Sequence, residues 1–194
     1  MRVGVLALQG DFREHIEVLT RLGAEATEVR TAAELDEVDA LVIPGGESTT
    51  IGRLARIYGL IEPLRARINA GLPTLGTCAG MIFLAAAVTE GDQPQLGVLD
   101  VVVERNAFGR QVDSFEADLP VAGYEDPVHA VFIRAPWIRK TGSDVTVLTT
   151  VADPRDGSSR PVFVQQDQIL ATSFHPELTS EWRIHQMLID SVKG

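Results

Sequence analysis

The sequence predicts an α/β fold with a doubly wound, mainly parallel central sheet and antiparallel additions. In the first half of the chain, short apolar runs alternate with segments whose apolar residues recur at helical spacing. That alternation is typical of parallel sheets joined by right-handed crossover helices. In the second half, strand-like segments follow one another with turn residues between them, which indicates antiparallel pairing at the sheet edge.

Strand-like and helical segments alternate from the start of the chain. Residues 3–8 form a continuous apolar run, as expected of a strand buried on both faces. Further strands are predicted over residues 25–30, 40–43 and 73–76. Helical spacing predicts helices over residues 12–22, 33–38, 50–58 and 63–70, and an apolar helix from about Gly80 to Val88.

Strand-like segments dominate the second half. They cover residues 99–104, 115–118, 130–133, 145–151, 162–166 and 169–174, with a hairpin turn at Gln166-Asp167-Gln168. Residues 181–192 predict a closing helix with Trp182, Ile184 or His185, Leu188 and Val192 on one face. No repeat or linker interrupts the sequence, so a single domain over residues 1–194 is expected.

Composition argues against several classes of partner. The 194 residues carry a net charge of −10, which disfavours nucleic acid and anionic membranes. One cysteine and four scattered histidines give neither an intrachain disulfide nor a metal-ligand spacing. No metal and no cofactor is therefore expected. The apolar N-terminal run is too short to span a bilayer and lacks a cleavage site, which predicts a cytoplasmic protein.

Cys78 lies at a predicted strand-to-helix turn, in the sequence Gly76-Thr77-Cys78-Ala79-Gly80. A nucleophile at the apex of so sharp a turn has a strained backbone, and side chains two residues to either side would clash. Glycine is therefore needed at both flanking positions. The following helix points unpaired backbone N–H groups at the sulfur. The alternative is a buried, inert cysteine where a strand meets a helix.

His175 is the candidate base because it directly follows an apolar strand, and Pro176 stiffens the chain there. Glu177 can return its carboxylate to the far ring nitrogen, the orienting role in a catalytic triad. Cys78 and His175 both follow core strands at the edge where such sheets carry active sites. The alternative is a strand-terminating turn with solvated side chains. The other histidines lie in predicted helix faces (His15, His185) or in a polar loop (His129).

The loop Pro44-Gly45-Gly46-Glu47-Ser48 reaches the same sheet edge. Its glycines let the backbone approach a ligand and offer N–H groups to an oxyanion. A phosphate loop is disfavoured because the Walker lysine and spacing are absent and Glu47 would repel a phosphate. A plain strand-to-helix turn, with Ser48 or Thr49 as the N-cap, remains the structural alternative.

Together these motifs resemble the class I (triad) glutamine amidotransferases. More closely, the chain resembles the glutaminase subunits of pyridoxal 5'-phosphate synthase in the blocks L-A-L-Q-G-D-F-R-E-H, P-G-G-E-S-T-T, G-T-C-A-G, V-F-I-R-A-P and S-F-H-P-E-L-T. The block V-E-R-N-A-F-G-R-Q at residues 103–111 is the most specific, because other triad glutaminases lack it. The resemblance runs from residue 6 to residue 179 and implies a flavodoxin-like three-layer sandwich.

The resemblance implies hydrolysis of L-glutamine to L-glutamate and ammonia. Cys78 would attack the side-chain amide as a thiolate, His175 would move the protons, and Glu177 would hold His175. Backbone N–H groups of Ala79 and of the Gly45-Gly46 loop would bind the oxyanion. Family positions that contact glutamine map to Gly46, Glu47, Ser48, Arg105, Ile133 and Arg134. Without the resemblance, surface ion pairing would be the simpler account of the two arginines.

The resemblance also implies a partner, the synthase (lyase) subunit, a β/α barrel in a large hetero-oligomer that receives the ammonia. In the family this partner activates the glutaminase, and a Gly45-Gly46 peptide that reorients would provide the gate. The docking surface is predicted at the Gln9-Gly10 turn and the following helix. Three alternatives stay open: a stand-alone γ-glutamyl thiol hydrolase, the glutaminase of another pathway such as histidine synthesis, and a non-catalytic regulatory subunit.

Overall fold

The computed structural model describes residues 1–105, 114–153 and 156–192. Its strands are β1 (Arg2–Leu6), β2 (Glu25–Val29), β3 (Ala40–Ile43), β4 (Thr74–Thr77), β5 (Ala85–Val88), β6 (Leu99–Glu104), β7 (Ser114–Leu119), β8 (Val128–Ile133), β9 (Trp137–Thr141), β10 (Thr146–Ala152), β11 (Ser159–Gln166) and β12 (Ile169–Thr172). Its α-helices are α1 (Phe12–Arg21), α2 (Ala32–Asp36), α3 (Ser48–Ile57), α4 (Ile61–Asn69), α5 (Ala79–Leu84) and α6 (Arg183–Ser191), and a 3₁₀ turn covers Pro176–Leu178.

A seven-stranded sheet forms the centre of the molecule, in the order β10-β11-β12-β4-β3-β1-β2. The strands from β12 to β2 run parallel, whereas β11 and β10 are antiparallel to their neighbours. Strands β3, β4 and β12 are buried along their whole length, as expected where helices cover both faces. The fold class predicted from the sequence is confirmed.

Two apolar clusters cover the two faces of this sheet and make the fold three-layered. Leu41 and Ile43 of β3 point to one face, where they join Ile51 of α3 in a cluster that also includes α4 and β6. Val42 points to the other face and joins Leu19 of α1, together with α6 and β8. Because successive side chains of a strand alternate between faces, one short strand contributes to both clusters.

The second half of the chain pairs differently from the prediction. Among the described residues, only β10 and β11 extend the parallel sheet; β5, β6 and β9 form a separate three-stranded sheet, and β7 and β8 form a two-stranded one. The predicted apolar helix ends at Leu84, and Ala85–Val88 forms β5 instead because it pairs in parallel with β6. Strand β9 lies outside every predicted strand.

Smaller corrections concern the ends of elements. The last strand ends at Thr172 rather than at residue 174, since His175 already donates its N–H to the Val131 carbonyl of β8. The closing helix begins at Arg183, so Trp182 precedes it and is 51% exposed rather than part of a buried face. Residues 106–111 of the specific block at residues 103–111 lie outside the described residues. Within the described ranges, no helix is long and apolar enough to cross a membrane.

Candidate active site

Cys78 occupies a sharp turn between β4 and α5. Its φ of 48° and ψ of −103° are a strained combination for a residue with a side chain. A Cβ atom at Gly80 would lie 2.0 Å from the carbonyl oxygen of Ile43, and one at Gly76 would lie 2.5 Å from a leucine methyl group. Packing therefore requires both glycines. The Cys78 N–H donates to the Thr172 carbonyl at 2.8 Å, which ties the turn to β12.

His175 reaches the same sheet edge from β12, the strand beside β4. Its Nδ1 atom is hydrogen-bonded to Oε1 of Glu177 at 2.7 Å, and both side chains are buried. This contact leaves Nε2 as the nitrogen available to Cys78, with which the imidazole interacts directly. The fold thus brings Cys78 together with two neighbouring side chains from the far end of the sequence.

The electrostatics of this corner favour a protonated His175. Burial alone would lower the pKa of the imidazole, but the hydrogen bonds and charges of Cys78 and Glu177 outweigh it and raise the pKa to about 10. Burial raises the pKa of the Glu177 carboxyl, and the hydrogen bond with His175 opposes that rise. The pair can therefore hold the proton that the Cys78 thiol releases when it becomes a thiolate.

Asp11 is a further polar group at this corner. One of its carboxylate oxygens lies 3.6 Å from Nδ1 of His175. The ligand atoms of Asp11, His175 and Glu177 all lie within 4.8 Å of one another, a spacing that would also suit a cation. A cation bound by Nδ1 would have to displace the Glu177 hydrogen bond. We therefore assign His175 and Glu177 to a hydrogen-bonded pair, with the Asp11 carboxylate as a nearby charge.

The Gly45-Gly46 loop follows β3 and packs tightly against the loop after β1. The Gly45 carbonyl accepts a hydrogen bond from the Asp11 N–H at 3.3 Å, and Oε1 of Gln9 accepts one from the Glu47 N–H at 2.7 Å. Gly46 has a φ of 144°, and a Cβ atom there would lie 2.5 Å from Oε1 of Gln9. Close approach of the two loops therefore depends on glycine.

Glu47, and not Ser48 or Thr49, is the N-cap of α3. Its carboxylate accepts the N–H groups of Thr49 at 3.0 Å and of Thr50 at 2.7 Å. Burial would raise the pKa of Glu47, but these hydrogen bonds, with that from the Thr50 hydroxyl, lower the pKa to about 2. A carboxylate is favoured at the N-cap because it accepts hydrogen bonds from two N–H groups and carries the negative charge that a helix N-terminus stabilises.

A cavity of about 430 Å³ opens between these elements. It is lined by Gln9, Asp11, Gly46, Glu47, Ser48, Cys78, Ala79, Ile82, Arg105, Ile133, Arg134, His175 and Leu178. The predicted nucleophile, the predicted base and every predicted glutamine contact therefore face one space. Gly45 and Glu177 lie behind its surface, and both adjoin the imidazole: a Cβ atom at Gly45 would lie 2.4 Å from Cε1 of His175.

Arg105 is held by polar neighbours at the rim of the cavity. Its Nη2 donates to Oε1 of Glu47 at 3.2 Å, and its Nη1 donates to Oε1 of the buried Gln93 at 2.8 Å. Since a guanidinium only donates hydrogen bonds, the orientation of the Gln93 amide is fixed. Arg105 does form an ion pair, as the alternative interpretation expected, but its partner Glu47 faces the same cavity.

Sequence reasoning missed several groups of this site. Asp11 follows β1 at the same sheet edge as the Gly45-Gly46 loop, and that position is the signal that could have found it. Gln93 lies in a loop without a recognisable motif. His15 and His185 lie on helix faces, as predicted, but both are fully buried, and the 2.8 Å contact between Nδ1 of His15 and Nε2 of His185 was missed.

A parallel sheet whose cysteine turn faces a histidine and a glutamate that follow the adjoining strand is the architecture of the triad glutamine amidotransferases. A model of the SNO glutamine amidotransferase family matches residues 5–194, and the chain belongs to that family. The resemblance drawn from the motifs is thereby confirmed.

Relatives and solved structures agree with this assignment. "Pyridoxal 5'-phosphate synthase subunit PdxT" of Parafrankia sp. (strain EAN1pec) is 60% identical over 196 residues, covering 100% of this chain and 94% of that protein. The protein of the same name from Acidothermus cellulolyticus is 59% identical, covering 98% and 93%. A crystal structure of a glutamine amidotransferase matches with a TM-score of 0.91 at 53% identity over 99% of both chains. PurLQS from Thermotoga maritima, with a TM-score of 0.70 at 15% identity over 97% of both chains, shares the fold.

Proposed function

We propose that this protein hydrolyses L-glutamine to L-glutamate and ammonia, and that it passes the ammonia to the synthase subunit of a pyridoxal 5'-phosphate synthase. Membership of a glutamine amidotransferase family supports the first step, and the names of the relatives support the second. The chain acts as one glutaminase domain over residues 1–194. The observation that carries the proposal is the buried His175–Glu177 pair, 2.7 Å apart and in contact with Cys78.

The first half-reaction transfers the γ-glutamyl group to sulfur. His175 takes the thiol proton of Cys78, the thiolate attacks the amide carbon, and the C–N bond breaks as the imidazolium protonates the leaving ammonia. Water then attacks the thioester while His175 takes a proton from it and returns that proton to the departing thiolate. Glu177 keeps Nδ1 protonated and stabilises the imidazolium in both halves.

Backbone N–H groups stabilise the oxyanion of each tetrahedral intermediate. Ala79 is the first residue of α5, so its N–H has no partner within the helix. The second donor comes from the Gly45-Gly46 loop. Because the Gly45 carbonyl accepts a hydrogen bond from the Asp11 N–H, reorientation of this peptide would break that bond. Such a step gives the synthase a place to control the reaction.

The rim of the cavity binds the amino-acid end of glutamine, with Gly46 and Ser48 lining the same side. The α-ammonium group needs an acceptor such as Glu47, and the α-carboxylate needs a donor such as Arg105 or a backbone N–H of Ile133-Arg134. The cavity volume of about 430 Å³ falls in the usual range of small-molecule sites, ~300–1,000 Å³.

The ammonia needs a sheltered route, because free ammonia is protonated near neutral pH and ammonium is not a nucleophile. The partner is the β/α-barrel synthase, which builds pyridoxal phosphate from a pentose phosphate and a triose phosphate. We place its docking surface at the Gln9-Gly10 turn and α1, since this turn packs against Gly45-Gly46. Phosphorylated sugars are made and used inside cells, which favours a cytoplasmic location that cell fractionation can check.

Ammonia release from glutamine, measured with and without the synthase subunit, tests this function. We expect slow release by the chain alone and strong stimulation by the synthase. Full activity without a partner and hydrolysis of γ-glutamyl peptides would indicate a stand-alone thiol hydrolase. Stimulation only by the synthase of another pathway would indicate a different biosynthetic role. Binding of the synthase with no ammonia release in any mixture would indicate a regulatory subunit.

A further inference from the structure

A row of buried polar side chains continues behind the catalytic pair. Nδ1 of His15 on α1 lies 2.8 Å from Nε2 of His185 on α6, and both rings are fully buried. The other nitrogen of His15, Nε2, lies 3.2 Å from the Thr77 hydroxyl and 3.5 Å from Oε2 of Glu177. That Oε2 atom makes no hydrogen bond of its own within the described residues. The mechanism above uses neither histidine.

Both histidines are neutral at physiological pH. Burial, aided by the nearby rings of His185 and His175, lowers the pKa of His15 well below its ordinary value. Burial also lowers the pKa of His185, to about 4, although Glu181 opposes this shift. A neutral imidazole has one N–H donor and one bare acceptor nitrogen. The hydrogen bonds along the row must therefore all be donated in the same direction.

The direction of donation follows from His185, at the end of the row away from Glu177. Nδ1 of His185 is buried without a hydrogen-bond partner among the described residues. Burying a bare acceptor nitrogen there costs less than burying an unpaired N–H, so His185 carries its proton on Nε2 and donates it to Nδ1 of His15. His15 must then carry its own proton on Nε2, towards Thr77 and Glu177. The reverse arrangement would direct a ring lone pair at the Glu177 carboxylate.

The geometry points to His15 as a positioning residue for Glu177, with His185 fixing the tautomer of His15. His175 hydrogen-bonds Oε1 of Glu177 while the His15 N–H, shared with the Thr77 hydroxyl, faces Oε2. The carboxylate therefore has a hydrogen bond from His175 at Oε1 and the N–H of His15 at 3.5 Å from Oε2, which orients it towards the imidazole. This role deepens the proposed glutaminase function and rests on it.

Three further titratable groups interact with His175 or His185. Cys78 and Asp11 act on His175 from the α5 and α1 sides, and Glu181 acts on His185 from the segment before α6. None of them supplies the contact to Oε2 of Glu177 that His15 makes, so replacing His15 alone changes that contact. The row can therefore be tested without altering the groups that touch substrate.

The first test compares His15→Gln with His15→Asn in the complex with the synthase. A glutamine amide places its N–H near the position of imidazole Nε2, whereas an asparagine amide reaches only the position of Nδ1. We expect kcat for ammonia release to fall about 10- to 100-fold in His15→Asn and less than about threefold in His15→Gln, with KM for glutamine unchanged. His129→Gln, a half-exposed histidine on β8, is the matched control.

The second readout needs no glutamine. Cys78 is the only cysteine of the chain, so the pH dependence of its alkylation by iodoacetamide reports the Cys78–His175 pair alone. Without the His15 donor, the Glu177 carboxylate is a weaker partner for the imidazolium, and the pKa of His175 falls. We expect the high-pH transition of alkylation to move down by about one pH unit in His15→Asn and to stay in place in His15→Gln.

Wild-type kinetics and alkylation in both variants would overturn this role. Equal losses in the two variants would overturn it as well, because ring shape rather than the N–H would then matter. If the wild-type complex releases no ammonia but the alkylation difference persists, the proposed function fails and the positioning role stands. Should thermal unfolding show that His15→Asn does not fold, His185→Leu against His185→Gln repeats the comparison, since glutamine keeps the donor to His15 and leucine removes it.

Discussion

The two sides of the cavity are built in different ways. The chemical wall (Cys78, Ala79, His175) follows the central strands β4 and β12 and is buried. The recognition wall (Glu47, Ser48, Arg105, Ile133, Arg134) lies at helix and strand ends, and the side chains of Glu47 and Arg105 are 51% and 27% exposed. Dense packing fixes reacting groups to a fraction of an ångström. Loops are more mobile, and they are where a partner or substrate can change the structure.

The two walls meet at the Gly45-Gly46 loop. On one side Gly45 packs against the ring of His175, and on the other Gly46 packs against Gln9. The docking surface that we propose at the Gln9-Gly10 turn therefore lies against the loop that we propose as an oxyanion donor. We therefore expect substitutions in the chemical wall to reduce turnover strongly and substitutions in the Gly45-Gly46 loop to abolish stimulation by the synthase. Substitutions in the recognition wall should change the affinity for glutamine.

Cys78→Ala removes the nucleophile of the chemical wall and has the largest expected effect. No thioester can form, so ammonia release by the complex falls on the order of 10⁵-fold or more, to background. Gel filtration with the synthase should still show the complex, because the change deletes one buried atom. Persistent ammonia release by the pure variant would mean that another residue is the nucleophile.

Glu177→Gln tests the residue that supports the chemical wall from behind. The amide keeps the shape of the side chain but loses the charge that raises the pKa of His175, so we expect kcat to fall roughly 10²- to 10⁴-fold. KM for glutamine should change little, because Glu177 lies behind the cavity surface. A raised KM with an unchanged kcat would instead place Glu177 in substrate recognition.

Gly46→Ala tests the junction between the walls. The new Cβ atom would lie 2.5 Å from Oε1 of Gln9 at a φ of 144°, so the loop can no longer supply its oxyanion donor. We expect synthase-stimulated turnover to fall roughly 10²- to 10³-fold. Gly71→Ala is the matched control, with a φ of 95° but open space around it. Unchanged stimulation of Gly46→Ala by the synthase would contradict the proposal that this loop is a gate.

The sequence could predict the elements that local residues determine, but not those that depend on distant contacts. The elbow is local: Gly76 and Gly80 flank Cys78 within five residues, so its geometry can be predicted from spacing alone. Elements decided by distant partners could not be predicted. Residues 85–88 form a strand because β6 is available to pair with them, and His15 meets its partner across 170 positions of sequence. In both cases tertiary contacts override the local pattern.

Arg105→Gln addresses the recognition wall. Loss of one charged donor to the α-carboxylate should raise KM for glutamine about tenfold and leave kcat within about threefold. Arg56→Gln on the exposed last turn of α3 is the control, because it lies outside both the cavity and the proposed docking surface. A fall in kcat with an unchanged KM would contradict the assignment and would move Arg105 to the chemical wall.

Glu47→Gln tests the structural role of the recognition wall, and its expected effect on stability is small. The wild-type carboxylate has its pKa lowered from 4.5 to about 2, so its charge stabilises the folded state above pH 4.5 and that contribution is lost as the pH falls towards 2. Because the side chain is half-exposed, we expect less than about 1 kcal/mol of lost stability at pH 7 in urea unfolding. The gap to wild type should narrow below pH 4.5, whereas a gap independent of pH would mean that hydrogen-bond geometry rather than charge caps α3.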